Sequence, residues 1–571
     1  MEILSHPIIA VVLLLGILVI VHEAGHFFAG KFCKIPVEVF SIGFGPVLFN
    51  KKIGETDYRV SLIPLGGFVK FYGSIPSEEV PDELKGREFF RASIKARLFT
   101  VAAGPIANLI LSIIVFSSMV MFGIQQPPPI IGEILPGSPA EKAGIRFGDK
   151  VTKIDDNPVT SWKDVQRIIS DSPKKSLTFK IERDSKVLDL VLVPESVRDE
   201  DLPGQRGRVG ISRVMVPAVV SVENPQGLFA KAGVLTGQRF VHAEWNNSKT
   251  EIKYWRQFLS LLEKVSEESK SRNQEIKVSF LLRNWDPTKG AQDEGKNTGD
   301  LAPVQKVEVV FPASWNFKVE NISTELGIVS GELAVYEVEE PVRGLRRGDL
   351  IRAWNKQPVQ NAFDMSTRLG SYIEPKAAIQ VLRDGKLEEI SVDLKPIELQ
   401  KAEGKVTQYT LPVIFWGSLE QPEWILEQYK NPFLALRFGI SETWDMTKSI
   451  GRAISGLFTG EMPLTTLGGP IAIAKVASDS VRIGWQAFLS ALALISINLA
   501  LLNLVPIPIL DGGQLVLISV EGLMRKPVPE VAIENYQKIG FIMVLALFVI
   551  ATYNDVGRFW ASLVKGISSR F

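Results

Sequence analysis

Residues 8–30 read IIAVVLLLGILVIVHEAGHFFAG. The first fourteen of these positions, 8–21, are all apolar, and low polarity continues to Gly30. As a helix, about 23 residues extend roughly 34 Å, enough to cross a hydrocarbon core of about 30 Å. A secretory signal peptide would also put an apolar run near the start. It fits poorly, because no Lys or Arg precedes the run and no small-x-small cleavage site follows it. A helix that crosses a membrane and ends in HEAGH decides the fold class.

Three further stretches behave in the same way. Residues 98–123 and 485–510 carry no charge, and a fourth span covers 538–553, closed off by Asp555. The rest of the 571-residue chain is ordinary in composition, which explains a mean hydropathy of only +0.14. Lys and Arg number 64 against 63 Asp and Glu, a formal net charge of +1. That balance speaks against a polybasic nucleic-acid binder. Cys33 is the only cysteine, so no intrachain disulfide framework is available.

Between the first two spans, residues 31–97 hold eleven Lys or Arg, which predicts a cytoplasmic loop. Both termini and the insert of about 360 residues between spans two and three are then expected outside. Within the loop, residues 37–72 read as strands broken by glycine, VEVFSIGFGPVLF and YRVSLIPLGGFVKFYG. Their apolar character predicts a re-entrant β-hairpin or sheet dipping into the membrane, packed on protein or lining a watery cavity.

The insert repeats itself: AGIRFGD at 143–149, AGVLTGQ at 232–238 and RGLRRGD at 343–349. The first and third copies continue alike, KVTKIDDNPVTSWKDV against LIRAWNKQPVQNAFDM, each followed by strand-like stretches. The middle copy has Gln238 where the others have Asp, and a polar insertion near 284–303. This pattern resembles PDZ domains of the kind in bacterial envelope proteases, α+β modules that bind extended peptides at a sheet edge. The expected modules are 126–200, 201–318 and 319–400. Residues 401–484 are expected as linker and amphipathic helices. Residues 432–458 read either as a helix on the outer membrane surface or as one packed on the PDZ-like modules.

In HEAGH, residues i and i+4 place His22 and His26 on one helix face, able to share one metal ion, with Glu23 beside them. A Zn²⁺ ion there would lower the pKa of a bound water to roughly 7, and Glu23 could take its proton and pass it to a leaving amine. A catalytic zinc takes three protein ligands. His6 is four turns away on the same helix and His242 lies in the insert. The remaining ionisable group in an apolar stretch is Asp511, in NLVPIPILDGGQ at 503–514. A carboxylate in such surroundings needs a cation or a metal, which makes Asp511 the third ligand. The lesser alternative is a cap for a helix over 513–524, and the two roles are compatible.

HEAGH, GPIAN at 104–108 and NLVPIPILDGG at 503–513 together resemble the site-2 protease family of intramembrane zinc metalloproteases; LGGPIAIAK at 467–475 and NPFLALRFGISETWDMTKSIGRAI at 431–454 are similar to it as well. The resemblance implies a polytopic α-helical membrane protein of about four spans. Its PDZ-like modules are inserted between spans two and three, where relatives carry two modules. It implies Zn²⁺ on His22, His26 and Asp511, with Glu23 as catalytic base. Asn503 and the loop glycines Gly43, Gly45, Gly66 and Gly67 are then substrate-binding, the loop holding substrate as a strand. The implied substrates are single-span membrane proteins such as an anti-sigma factor, already cut outside by a site-1 type protease, or remnant signal peptides. The implied location is a bacterial inner membrane, with the modules on the periplasmic side. A different reading is a PDZ-type scaffold without catalysis. It has no need of His22, Glu23, His26, Asn503 and Asp511 in lipid.

Overall fold

The computed structural model describes residues 7–568 except 75–77, 136, 199–203, 289–303, 339–343, 371, 373, 402–403 and 463. His6 and most of the insertion expected at 284–303 therefore lie outside the described residues. The chain divides into two compact units, one of 1–125, 199–204 and 426–571, the other of 126–198 and 205–425. Among the described residues, four helices are long and apolar enough to cross a membrane: Ile9–Phe32, Ile94–Phe122, Trp485–Leu504 and Glu530–Gly557.

The first unit begins with α1 (Pro7–Phe32). Its buried face is set by every fourth residue, Ala10, Leu14, Leu18 and then His22, as helical geometry requires. The hairpin β1 (Val37–Ile53) and β2 (Thr56–Phe71) follows. Val39 pairs with both Lys70 and Asp57, and Ile42 with both Gly67 and Val60. The first half of β1 thus lies between two stretches of β2, and the hairpin curls back on itself. Gly43 and Gly45, with φ of 92° and 84°, supply the backbone that this bend demands. Next comes α2 (Ile94–Phe122), whose Ser93 cap accepts from the Ala96 N–H.

After the second unit the chain returns in α3 (Pro432–Thr459), α4 (Pro470–Ile483), α5 (Trp485–Leu504), α6 (Asp511–Met524) and α7 (Glu530–Ser568). The third apolar stretch was expected to run to residue 510, but its helix stops at Leu504. Pro506 and Pro508 cannot continue it, and Ile509 takes a φ of 83° as the chain turns into α6. α3 lies along α2, with Gly439 so close to Ile113 and Ser117 that no Cβ fits. Ala435, Phe438, Met446 and Ile450 join one apolar core with Leu14, Leu18, Phe116, Val120 and Ile497.

The second unit contains three four-stranded antiparallel sheets of one topology. Strands 150–154, 238–245 and 350–354 each lie between a short outer strand and the longer strands 177–183, 276–284 and 376–383; strands 186–192, 305–311 and 386–393 close the far edges. Trp162–Ser170, Trp255–Arg272 and Ala362–Gly370 are the crossing helices. Each sheet has its own apolar core. Two of the three carry the same clasp: the Arg183 guanidinium donates to Asp149 and to the Gly144 carbonyl, and Arg383 does so to Asp349 and the Gly344 carbonyl. In the middle region Gln238 takes the place of Asp and donates to Gln305, which itself donates to the Gly233 carbonyl. The third core reaches beyond residue 400: Val413–Phe415 pairs with Val335–Val338 and Trp416 is buried, so the stretch expected as linker contains paired strands in its first part.

Candidate metal centre

Continuing the buried face of α1 by one and two turns places His22 and then His26 inside the first unit. His22 Nε2 lies 3.2 Å from Asp511 Oδ2, His26 Nε2 lies 3.5 Å from the same oxygen, and the two Nε2 atoms are 3.2 Å apart. Among the described residues these three side chains form the His/Cys/Asp/Glu group that could hold a metal ion. An ion holding N and O donors tetrahedrally at about 2.0–2.1 Å spaces them about 3.3 Å apart, so the observed spacings fit one zinc. Asp511 Oδ2 is buried against the two imidazole nitrogens, a costly position for a carboxylate oxygen unless a cation or a donated proton faces it. Asp511 is the first residue of α6, with Leu510 in the capping position. Gly512 and Gly513 have carbonyls of Leu504, Val505 and Ile507 where a Cβ would stand, and this close turn carries Asp511 to the histidines.

His26 has its tautomer set by the backbone. Its Nδ1 lies 2.9 Å from the Thr100 carbonyl, which can only accept, so Nδ1 holds the proton and Nε2 keeps a lone pair. The neighbouring Pro105 lies inside α2 and removes the N–H that would pair with Val101 O. Gly104 stands against the His26 ring with no room for a Cβ.

Glu23 is half-buried beside the three donors and takes a hydrogen bond from the Val69 backbone of β2. A Cβ on Gly67 would come within 3.5 Å of Glu23 Cγ, so β2 passes directly by this carboxylate. Gly66 packs on Phe44, while Gly43 and Gly45 sit at the bend of β1, backed by Ser61 and Ile63. Asn503, in the last turn of α5, brings Nδ2 to 3.3 Å from His22 Nε2. His242 lies on the strand Gln238–Trp245 of the second unit and is not among these residues.

Sequence reasoning gave no role to Thr100, Ser112, Ser496 or Asn108. Asn108 Nδ2 lies 3.2 Å from His22 Nδ1. Asn108 is the last letter of GPIAN and a polar residue in an apolar span, and that was the available signal.

Residues 10–547 match peptidase family M50. A candidate zinc metalloprotease of Ralstonia nicotianae is 28% identical over 96% of this chain and 98% of its own length. The regulator of sigma-E protease RseP of Escherichia coli K12 is 27% identical over 95% of this chain and 97% of its own, and its counterpart in Salmonella typhimurium 14028s is 27% identical over 96% and 98%. Among solved structures, a PDZ domain protein of Parabacteroides distasonis covers 54% of this chain at 10% identity and a TM-score of 0.14, too weak a likeness to argue from.

Proposed function

The chain belongs to peptidase family M50, the site-2 proteases, and from that premise we propose that it is an intramembrane endopeptidase cutting transmembrane segments of single-span proteins. That it is a zinc-dependent protease follows from the family and the zinc metalloproteases in it. The observation that carries the finer reading is the closeness of His22, His26 and Asp511 among helices apolar enough to cross a membrane.

In this reading His22, His26 and Asp511 hold the zinc, which supplies Lewis-acid chemistry at that point. Glu23 accepts and returns a proton at its carboxylate. A transmembrane helix hides its peptide bonds in its own hydrogen bonds, so a scissile bond must first be unwound into a strand. β2, which carries Gly66 and Gly67, runs past Glu23 and offers a strand to pair with, and Gly43 and Gly45 shape the curl. Asn503 is placed to donate to the substrate backbone. The eleven basic residues of 31–97 support a cytoplasmic loop, with the 126–425 region on the opposite, extracytoplasmic side of a bacterial inner membrane. Substrates would be anti-sigma-type proteins, first trimmed outside by a site-1 type protease.

Co-expression with candidate single-span anti-sigma proteins tests this. Glu23→Gln should abolish cleavage and keep about one zinc per chain, whereas Asp511→Ala should lose the zinc. Wild-type cleavage by Glu23→Gln, or undiminished zinc in Asp511→Ala, would remove these roles.

A further inference from the structure

We infer that Asn108 is a positioning residue: its amide oxygen accepts from His22 Nδ1–H and so fixes the tautomer that leaves His22 Nε2 free for a metal. The inference rests on the ligand assignment above and deepens it.

Asn108 is fully buried at the middle of α2, where an amide without partners is costly. With Nδ2 turned to His22, the amide oxygen Oδ1 has no partner at all. That orientation is also chemically wrong for a ligand. A neutral imidazole carries one proton. If Nδ1 accepts from Asn108, the proton sits on Nε2, the nitrogen that faces Asp511 Oδ2 at 3.2 Å and His26 Nε2 at 3.2 Å. A half-turn of the amide exchanges its two end atoms, which are nearly the same in shape. Oδ1 then takes the place 3.2 Å from Nδ1, accepts its proton, and Nε2 presents a lone pair to the donor cluster. His26 has the same arrangement built from the Thr100 carbonyl. The two histidines are thus oriented from the same helix, α2, by one backbone and one side-chain acceptor.

The backbone of Asn108 is itself held. Its carbonyl accepts from Ser112 Oγ at 3.1 Å and from Ser496 Oγ at 2.8 Å, and Ser112 Oγ also lies 3.1 Å from the Ala493 carbonyl. Ser496 stands on α5, two turns before Asn503. One residue of α2 therefore ties together α1, through His22, and α5, which presents Asn503.

The test is zinc affinity of the full-length protein in detergent, by competition with a chromophoric chelator, together with the visible spectrum of the Co²⁺-substituted form. Outer-shell partners of metal-bound histidines are worth about 10–100-fold in metal affinity. Asn108→Leu should lose that much, while its metal-free thermal unfolding stays near wild type. Asn108→Asp, which still accepts from Nδ1–H, should bind within a few fold of wild type and keep the Co²⁺ spectrum. If Asn108→Leu does not fold, Asn108→Ser, too short to reach Nδ1, carries the same expectation. Wild-type affinity in the Leu or Ser variant, or an equal loss in Asn108→Asp, overturns the inference while leaving the ligand assignment standing. Wild-type protein that binds no better than His22→Ala overturns both.

Discussion

A Cβ on Gly104 would run into the His26 ring, and one on Gly25 would meet the Ala103 carbonyl and the Ala107 Cβ. Small residues at both positions let α1 and α2 approach until side chains of one helix reach backbone groups of the other. Gly104→Ala should therefore disturb the site through the His26 ring, at little cost to the rest of α2, since alanine is a better helix former than glycine. A misplacement near 1 Å costs about 10²-fold in rate. We expect cleavage to fall by that order and zinc affinity to drop, with expression and the helical circular dichroism spectrum retained. Cleavage at the wild-type rate would show that the ring accommodates a methyl group. At this scale the grouping of His22, His26 and Asp511 was readable, because a four-residue spacing and an acid in an apolar run are local patterns. The tautomer-setting contacts were not. They join residues 74 and 86 positions apart, and nothing in the order of residues along α2 says which of them faces the histidines.

Asp511 opens α6, and the other end of that helix is anchored by an ion pair. Arg97, in the first turn of α2, reaches Glu521 at 2.7 Å, and both side chains are buried. The guanidinium also stacks over the Phe89 and Phe90 rings at 5.6 and 5.1 Å, and Glu521 accepts from the Val528 N–H. Removing one partner of a buried pair leaves the other charge uncompensated, at a cost of about 3–5 kcal/mol. Arg97→Met and Glu521→Met should each lower the thermal midpoint of the detergent-solubilised protein, and the two together should recover most of the loss. A double variant whose loss is the sum of the single ones would mean that the two residues act independently. The spans were legible from their length and lack of charge, although Pro506 and Pro508 end the third helix at Leu504, short of the uncharged stretch. The packing of α3 along α2 was not legible. Its alternation of apolar and charged residues suits any half-buried face, and the close approach at Gly439 depends on Ile113 and Ser117, more than 300 residues earlier.

Across the whole chain, the repeat was the most informative long-range signal, since AGIRFGD and RGLRRGD place the same Asp in front of an Arg 34 residues later in both sheets. What the repeat could not reveal is where its copies meet. Glu332 of the third region feels the charge of Glu133 from the first and of Arg256 from the second. Arg256 lies 3.4 Å from Glu133, and Glu332 accepts from the Ala362 N–H at 2.9 Å and from the Ser330 side chain. Burial, opposed by the Ala362 N–H and reinforced by the Glu133 charge, pushes the Glu332 carboxyl up to about 7. Burial likewise raises the Glu133 carboxyl, against the pull of Arg256. The sign follows from linkage: a carboxyl with a higher pKa folded than unfolded stabilises the fold fully below its unfolded value, near 4.5, and loses that contribution as pH rises through 7. The full span is worth about 3 kcal/mol at about 1.4 kcal/mol per pH unit. The thermal midpoint of the 126–425 region in the intact protein should therefore fall by several degrees between pH 5 and pH 8. Glu332→Gln keeps an acceptor for the Ala362 N–H and has no proton to lose, so it should flatten that slope, chiefly by raising the midpoint at pH 8. An unchanged slope in Glu332→Gln would move the pH dependence elsewhere, with Glu133→Gln the next variant to measure. A flattened slope would make the meeting point of the three sheets sensitive to pH near neutrality.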